Sequence, residues 1–140
     1  MGFTVEVDFG QPVSLVFGLL ADPRRRPEWQ SSLRRVEMLT PGEPGVGTRW
    51  HDVTAIGVRP LMEITTWETD RVWAERGSWR GLELTLDLRF ASLDAATRTR
   101  VTATVVTNAP GWRRPIGWGL SAMGPLAAKD DLRRAARLLR

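Results

Sequence analysis

Apolar and polar residues alternate at the start of the chain, and a helical pattern follows. Over residues 3–9 every second side chain is apolar, which predicts a half-buried strand that pairs late in the chain. Over residues 13–20 apolar side chains recur at intervals of three and four, as they do on one face of a helix. Asp22 and Pro23 end that helix, because proline cannot continue the hydrogen-bond ladder.

The pattern of the next segment changes from helical to extended. Pro27 predicts the opening of a second short helix that holds Trp29 and Leu33. From Val36 onward the signal is typical of strands, with a turn rich in proline and glycine over residues 40–45. The short links between the strands predict antiparallel hairpins. Strands are predicted near residues 47–56, 61–68, 71–79, 82–93 and 97–107.

The last two predicted strands each have one apolar face, and the chain ends with a segment suited to cover it. Residues 132–139 repeat apolar side chains at helical spacing, within a helix predicted over residues 120 to 139 and kinked or broken before Leu126. We expect this C-terminal helix to pack on the apolar face of the sheet. That face carries Leu84, Leu86, Leu88, Val101, Ala103 and Val105.

Size and composition indicate one compact domain over residues 1–140. The chain has 140 residues, of which 42% are hydrophobic, enough for a single core. It has no cysteine, which excludes disulfides and a thiolate nucleophile. There is no signal-peptide pattern, and no apolar run approaches the roughly 18 residues that cross a bilayer. We therefore expect a cytoplasmic protein without stable membrane insertion.

The net charge of +4 raises the question of nucleic-acid binding. The arginines are spread along the chain among 16 acidic residues, which favours a mixed surface. The run Arg24–Arg26 supplies three charges, few beside the roughly 6 to 10 phosphate contacts of a typical binder. We expect no nucleic-acid partner. An adaptor role for Arg24–Arg26 and Arg113–Arg114 ranks last among the candidate functions.

Two segments carry a resemblance to a known family. They are Ala21-Asp22-Pro23 through Pro27-Glu28-Trp29, and Gly45-Val46-Gly47-Thr48-Arg49-Trp50. In this order of elements they resemble the START-like SRPBCC superfamily, close to its polyketide cyclase/dehydrase group. The resemblance implies an α+β helix-grip fold, in which a curved antiparallel sheet wraps around a long C-terminal helix, with two short helices after the first strand. It also implies a cavity that holds lipids, polyketides or other apolar molecules; a minority of members are enzymes.

Two residues are candidates for acid–base chemistry. Trp73, Glu75 and Trp79 share one strand face, and two indoles favour an inward facing, which places the Glu75 carboxyl in an apolar pocket where desolvation raises its pKa. The alternatives are that Glu75 pairs with an arginine such as Arg49, or that the strand faces the other way. His51 is the single histidine, and the alternation around it favours neither facing.

The predicted ligand contacts are mainly aromatic. Trp29 matches the tryptophan of the family's first-loop motif, where it helps to wall the cavity, although core packing alone also explains it. The period over residues 61–68 does not settle which way Trp67 faces, and a bulge is one explanation. The full set of predicted ligand contacts is Trp29, Trp67, Trp73, Trp79, Leu86, Leu88 and Met123.

The sequence thus favours a protein that binds or carries a small hydrophobic ligand, lipid-like or aromatic and polyketide-like. The alternative is a polyketide cyclase/dehydrase-type enzyme that acts on such a ligand, with Glu75 and His51 as its catalytic residues. We expect no cofactor, and no metal site, since metal sites of the usual kind need several converging ligands. A monomer and a homodimer are both compatible with the sequence.

Overall fold

The structure is a computed structural model that describes residues 2–108 and 124–140. The predicted contact Met123, the residues 120–123 expected in the last helix, and Arg113–Arg114 lie outside the described residues. The strands are β1 (Gly2–Phe9), β2 (Leu33–Met38), β3 (Arg49–Thr54), β4 (Leu61–Glu68), β5 (Val72–Trp79), β6 (Leu82–Leu93) and β7 (Arg98–Asn108). The helices are α1 (Val13–Leu20), α2 (Arg26–Trp29) and α3 (Gly124–Leu138), and a 3-10 turn over Pro23–Arg25 precedes α2.

The seven strands form one antiparallel sheet in the order β1-β7-β6-β5-β4-β3-β2. Strands β2 to β7 follow one another as neighbours, because the short links allow only hairpins. The first strand joins the far edge beside β7, which confirms that it pairs late in the chain. The predicted fold, a curved sheet with a C-terminal helix and two short helices after β1, is confirmed.

One face of the sheet is apolar across four strands. Alternate residues of β6 from Leu82 to Phe90 are buried, and the register sets the last three of them opposite apolar residues of β7. Leu86 faces Val105 on one side and Glu75 on the other. We call this surface the inner face; most of the hydrophobic core lies on it.

Helix α3 covers the inner face near β1. Its buried residues Ala128, Leu132 and Ala135 belong to the same core as the leucines of β6 and the apolar residues of β7. The predicted packing of the tail on the apolar face is confirmed, and the helix backbone comes closest to β1 and α2. Asp131 of α3 also accepts hydrogen bonds from the Ser31 backbone N–H (3.2 Å) and hydroxyl (2.9 Å).

The second helix is shorter than predicted. It ends at Trp29, because Gln30 takes an extended backbone conformation. Leu33, predicted to lie in this helix, instead begins β2 and pairs with Thr54 of β3. The expectation for Leu33 was therefore wrong, because its backbone forms part of the edge strand β2.

Candidate functional site

Helix α2 carries a buried arginine. Asp22 caps the preceding turn by accepting a hydrogen bond from the Arg24 backbone N–H at 3.0 Å. The chain then turns so that Arg26 and Trp29, one helical turn apart, both point inward, with exposed fractions of 2% and 1%. The sequence fixes this orientation locally through Asp22 and the prolines that flank the arginine run.

The other arginines of the run remain on the surface. The Arg24 guanidinium contacts both carboxylate oxygens of Asp22 at 2.9 Å. Arg25 pairs with Glu28 at 3.2 Å. Each of these two surface arginines of the run is therefore paired with an acidic neighbour.

Two carboxyl groups of the inner face meet Arg26. Its Nη1 donates to Glu75 Oε1 of β5 at 2.7 Å and lies 3.7 Å from Asp52 Oδ2 of β3. The Trp50 indole N–H donates to Asp52 Oδ1 at 2.8 Å and holds that carboxyl in place. Both carboxyl residues are at most 2% exposed.

Three indole rings surround the guanidinium. The Arg26 Cζ atom lies 6.0 Å from the ring centroid of Trp29, 5.4 Å from that of Trp50 and 5.5 Å from that of Trp73. These distances are typical of cation–π contacts. We call Arg26, Asp52 and Glu75, with Trp29, Trp50 and Trp73 around them, the Arg26 cluster.

Burial controls the protonation of the cluster. Desolvation raises the pKa of Glu75 to about 7, although the charge and hydrogen bond of Arg26 act against it. Desolvation raises the pKa of Asp52 as well, again against the charge of Arg26. For Arg26, burial opposes the charged form, but the two carboxyls outweigh it and its pKa lies above its usual value. The carboxyls therefore compete for a single cation.

Several polar atoms of the cluster have no hydrogen-bond partner within residues 2–108 and 124–140. These atoms would normally be paired in a protein interior, because an unpaired buried polar group costs about 1 to 3 kcal/mol. Four are nitrogen donors and one is a carboxyl oxygen. They are Arg26 Nε, Arg26 Nη2, Trp29 Nε1, Trp73 Nε1 and Glu75 Oε2.

The inward facing of Trp73 and Glu75 is confirmed, since both are buried on the inner face. The suggestion that Glu75 pairs with Arg49 was wrong. Arg49 contacts Glu63 at 3.2 Å, and both side chains lie on the other face of the sheet, one strand position away from the inner residues. The partner of Glu75 is instead Arg26, which the chain brings from a distant helix.

His51 does not join Glu75. Its neighbours Trp50 and Asp52 take the inward positions of β3, so strict alternation turns His51 outward. The ring Nδ1 lies 3.3 Å from the Arg59 carbonyl oxygen. The facing that the sequence left open for His51 is therefore outward, and the structure does not bring His51 and Glu75 together.

A bulge settles the facing of Trp67. The register of β4 on β5 shifts between Ile64 and Thr66, which brings Trp67 opposite Trp73 on the inner face. The Trp67 ring is half-buried and meets Phe17 edge-on, with a centroid separation of 5.3 Å. The bulge that the sequence suggested is confirmed.

The other predicted ligand contacts differ in burial. Leu86 and Leu88 are buried opposite Glu75 and Trp73. Trp79 is half-buried at the end of β5, where Arg80 lies over its ring at 5.1 Å. It lines an open pocket of about 550 Å³ together with Leu82, Glu83 and Asn108.

A second open pocket, of about 590 Å³, lies between β1 and the start of α3. Arg26 and Glu75 line neither pocket. Within the described ranges, no group of three or more histidine, cysteine or acidic side chains is arranged to hold a metal ion. In the same part of the chain, no helix is long and apolar enough to cross a membrane.

Sequence reasoning missed Arg26, Trp50 and Asp52. The spacing of Arg26 and Trp29 by three residues is a usable signal, since it places both on one side of a helical turn. The inward positions of β3 are Trp50, Asp52 and Thr54. Because two of these three side chains are polar, the sequence shows no apolar face for this strand.

The sequence matches the family described as "Polyketide cyclase / dehydrase and lipid transport" over residues 2–140. The chain therefore belongs to this family, which supports a ligand-binding role in general. No curated protein sequence matches it significantly.

Solved structures share the fold across nearly the whole chain. A hypothetical protein from Helicobacter pylori is 17% identical, with a TM-score of 0.80 over 100% of this chain and 88% of that one. A protein from Deinococcus radiodurans is 21% identical, with a TM-score of 0.70 over 99% of this chain and 96% of that one. Ara h 8.0201 is 12% identical, with a TM-score of 0.74 over 99% and 97%. At these identities the likeness shows the fold alone.

Proposed function

We propose that the protein binds a small hydrophobic ligand, lipid-like or aromatic and polyketide-like, between the inner face of the sheet and α3. The observation that carries this proposal is the makeup of the inner face around Glu75: leucines and indole rings surround one polar cluster, several of whose buried atoms have no partner among the described residues. Apolar walls with a few polar groups are typical of ligand sites. In this proposal the protein acts in the cytoplasm, as a monomer or homodimer, without cofactor, metal ion or nucleic acid.

Hydrophobic burial is sufficient to drive such binding. At about 25 cal/mol per Å², some 200 Å² of buried apolar ligand surface contributes about 5 kcal/mol before the costs of association. Leu86, Leu88 and Trp73 lie side by side in the register and supply a continuous apolar surface for the ligand body. Trp79 extends this surface toward the end of β5.

The first test is a titration with N-phenyl-1-naphthylamine, an uncharged fluorophore, followed by tryptophan quenching. We expect one molecule bound per chain, and Trp73→Ala and Trp79→Ala each weaken binding by about 1 to 3 kcal/mol, the scale of a buried aromatic contact. Leu15→Ala is the control, because Leu15 is an exposed apolar residue of α1. Unchanged affinity in both tryptophan variants, with the fold intact by circular dichroism, would contradict the proposal. Native mass spectrometry of the purified protein then identifies a ligand that copurifies with it.

The second candidate function is a cyclase/dehydrase-type enzyme. One observation favours it: Glu75 is a buried carboxyl with a pKa raised to about 7, and such a group both accepts and donates protons near neutral pH. Enolisation or dehydration of a bound polyketide needs a group of this kind.

Glu75→Gln separates the two functions. An enzyme loses about 10²- to 10⁴-fold in turnover of a polyketide-like substrate while it keeps its ligand affinity. In a carrier the same change leaves no activity to lose and alters the stability of the cluster. Turnover by the wild type that Glu75→Gln leaves intact would exclude Glu75 as the acid or base.

A further inference from the structure

We propose that the Arg26 cluster recognises an uncharged oxygen group of the ligand, such as a hydroxyl, enol or ketone, and discriminates against carboxylate and phosphate groups. This inference rests on the proposed ligand-binding function and names the chemistry of the ligand's polar end. It follows from three features of the cluster: its charge balance, its unpaired hydrogen-bonding atoms and its apolar surroundings.

The charge balance excludes an anion. The single cation, Arg26, already has Glu75 at 2.7 Å and Asp52 at 3.7 Å. With one carboxyl ionised the three groups are neutral, and with both ionised their net charge is −1, so no positive charge is left over. A ligand carboxylate placed here would meet like charge in a desolvated site, which is strongly unfavourable.

The atoms without a partner among the described residues can hydrogen-bond to a hydroxyl, an enol or a ketone. Arg26 Nε and Nη2 and the indole nitrogens of Trp29 and Trp73 are donors, and Glu75 Oε2 is an acceptor when that carboxyl is ionised. A hydroxyl oxygen accepts from such donors and gives its own proton to Glu75. A ketone accepts from the donors alone, and pairs with Glu75 when the carboxyl is protonated. A carboxylate has no proton to offer Glu75.

The surroundings require that the rest of the ligand be apolar. Trp73 lies opposite Leu88 in the register, and Glu75 lies opposite Leu86, so the carboxyl emerges from an otherwise apolar strip. The indole rings of Trp29 and Trp50 also contact the guanidinium, at 6.0 and 5.4 Å. A ligand with a hydrophobic body and one uncharged oxygen group would pack its body against the apolar strip and form hydrogen bonds with the Arg26 cluster through that oxygen.

The test compares naphthalene, 2-naphthol and 2-naphthoate, which share one apolar body, by calorimetry with the full chain at pH 7.5. We expect 2-naphthol to bind about 10-fold more tightly than naphthalene, on the scale of one or two net hydrogen bonds, and at least about 10-fold more tightly than 2-naphthoate. Equal or tighter binding of 2-naphthoate overturns the inference, and so does equal binding of naphthalene and 2-naphthol.

A charge variant gives an independent readout. Glu75→Gln removes one carboxyl from Arg26 and keeps the side-chain shape, so the affinity for 2-naphthoate relative to 2-naphthol should rise by about 10-fold. Glu63→Gln is the matched control, because Glu63 also pairs with an arginine, Arg49, but on the other face. If Glu75→Gln does not fold, Asp52→Asn tests the same charge. An unchanged ratio in the folded variant overturns the inference.

The outcomes also separate the inference from the function on which it rests. If N-phenyl-1-naphthylamine binds at the site and the three naphthalenes show no preference, the inference fails and hydrophobic binding stands. If neither the fluorophore nor any naphthalene binds, the proposed function fails and the inference fails with it.

Discussion

Two of the arginine–carboxylate clusters among the described residues lie on opposite faces of the sheet and can be compared directly. The Arg26 cluster is buried on the inner face. The outer cluster, formed by Asp8, Asp94, Arg98 and Arg100, lies on the solvent face, where Arg100 Nε contacts Asp8 Oδ1 at 2.9 Å and Arg98 Nη1 contacts Asp94 Oδ2 at 2.9 Å. The contact distances are nearly the same in both clusters. Their surroundings differ: the outer side chains are 33% to 61% exposed.

The two clusters shift carboxyl pKa values in opposite directions. In the outer cluster the hydrogen bond from Arg100 lowers the pKa of Asp8. In the inner cluster desolvation outweighs Arg26 and raises the pKa of Glu75 to about 7. The direction in which the pKa of a paired carboxyl shifts therefore depends on its exposure to solvent and not on the contact distance alone.

This difference assigns different roles to the clusters. Exposed ion pairs contribute little to stability, and the outer one joins β1 to β7, where Asp8 and Arg100 are register partners. A buried pair carries a desolvation penalty that apolar residues of similar size would avoid. The inner cluster therefore has an energetic cost that the hydrated outer cluster avoids, which fits the role in ligand recognition that we propose for it.

The largest expected effect comes from removing the arginine of each cluster. Arg26→Met leaves Glu75 and Asp52 buried without a cation and should lower the free energy of unfolding by about 3 to 5 kcal/mol. Arg100→Met should lower it by only a small fraction of that amount, because Asp8 stays hydrated. Urea denaturation of both variants at pH 7.5 measures the difference. Equal losses would show that the two clusters are energetically alike.

Much of the fold was predictable because its strands obey simple alternation. The leucines of β6 recur at every second position, and the predicted strands over 61–68 and 82–93 match the observed bounds. The second helix was not predictable to its end, because Leu33 continues an apolar spacing that β2 uses. The apolar spacing of a segment does not show whether its backbone forms hydrogen bonds within a helix or with a neighbouring strand.

The candidate site was only partly predictable. Two tryptophans on one strand face placed Glu75 inward correctly. The three-residue spacing of Arg26 and Trp29 was the one local signal for the buried arginine, and its carboxyl partners come from strands that are distant in sequence. The facing of His51 was ambiguous because the inner side of β3 carries the polar Asp52, whose partners include Arg26 of a distant helix.

The smaller expected effect is a pH dependence near neutrality that the inner cluster produces and the outer cluster does not. The pKa of Glu75 rises from an ordinary 4.5 to about 7 on folding, so the folded protein binds more protons than the unfolded chain between these values. Its contribution to stability is complete below about pH 4.5 and is lost as the pH rises to about 7, with a total of about 1 to 3 kcal/mol. Chemical denaturation at pH 5 and pH 8 should therefore show a less stable protein at pH 8.

Glu75→Gln should flatten this slope, because glutamine does not titrate, whereas Glu63→Gln on the opposite face should leave it in place. Burial also raises the pKa of Asp131, and its contribution keeps the same sign in every variant. The outer Asp8 acts at the other end of the pH range: since its pKa is lowered, its contribution is lost as the pH falls through acid values. A slope between pH 5 and pH 8 that survives unchanged in Glu75→Gln would mean that Glu75 is ionised throughout, and that the two clusters differ in position but not in electrostatics.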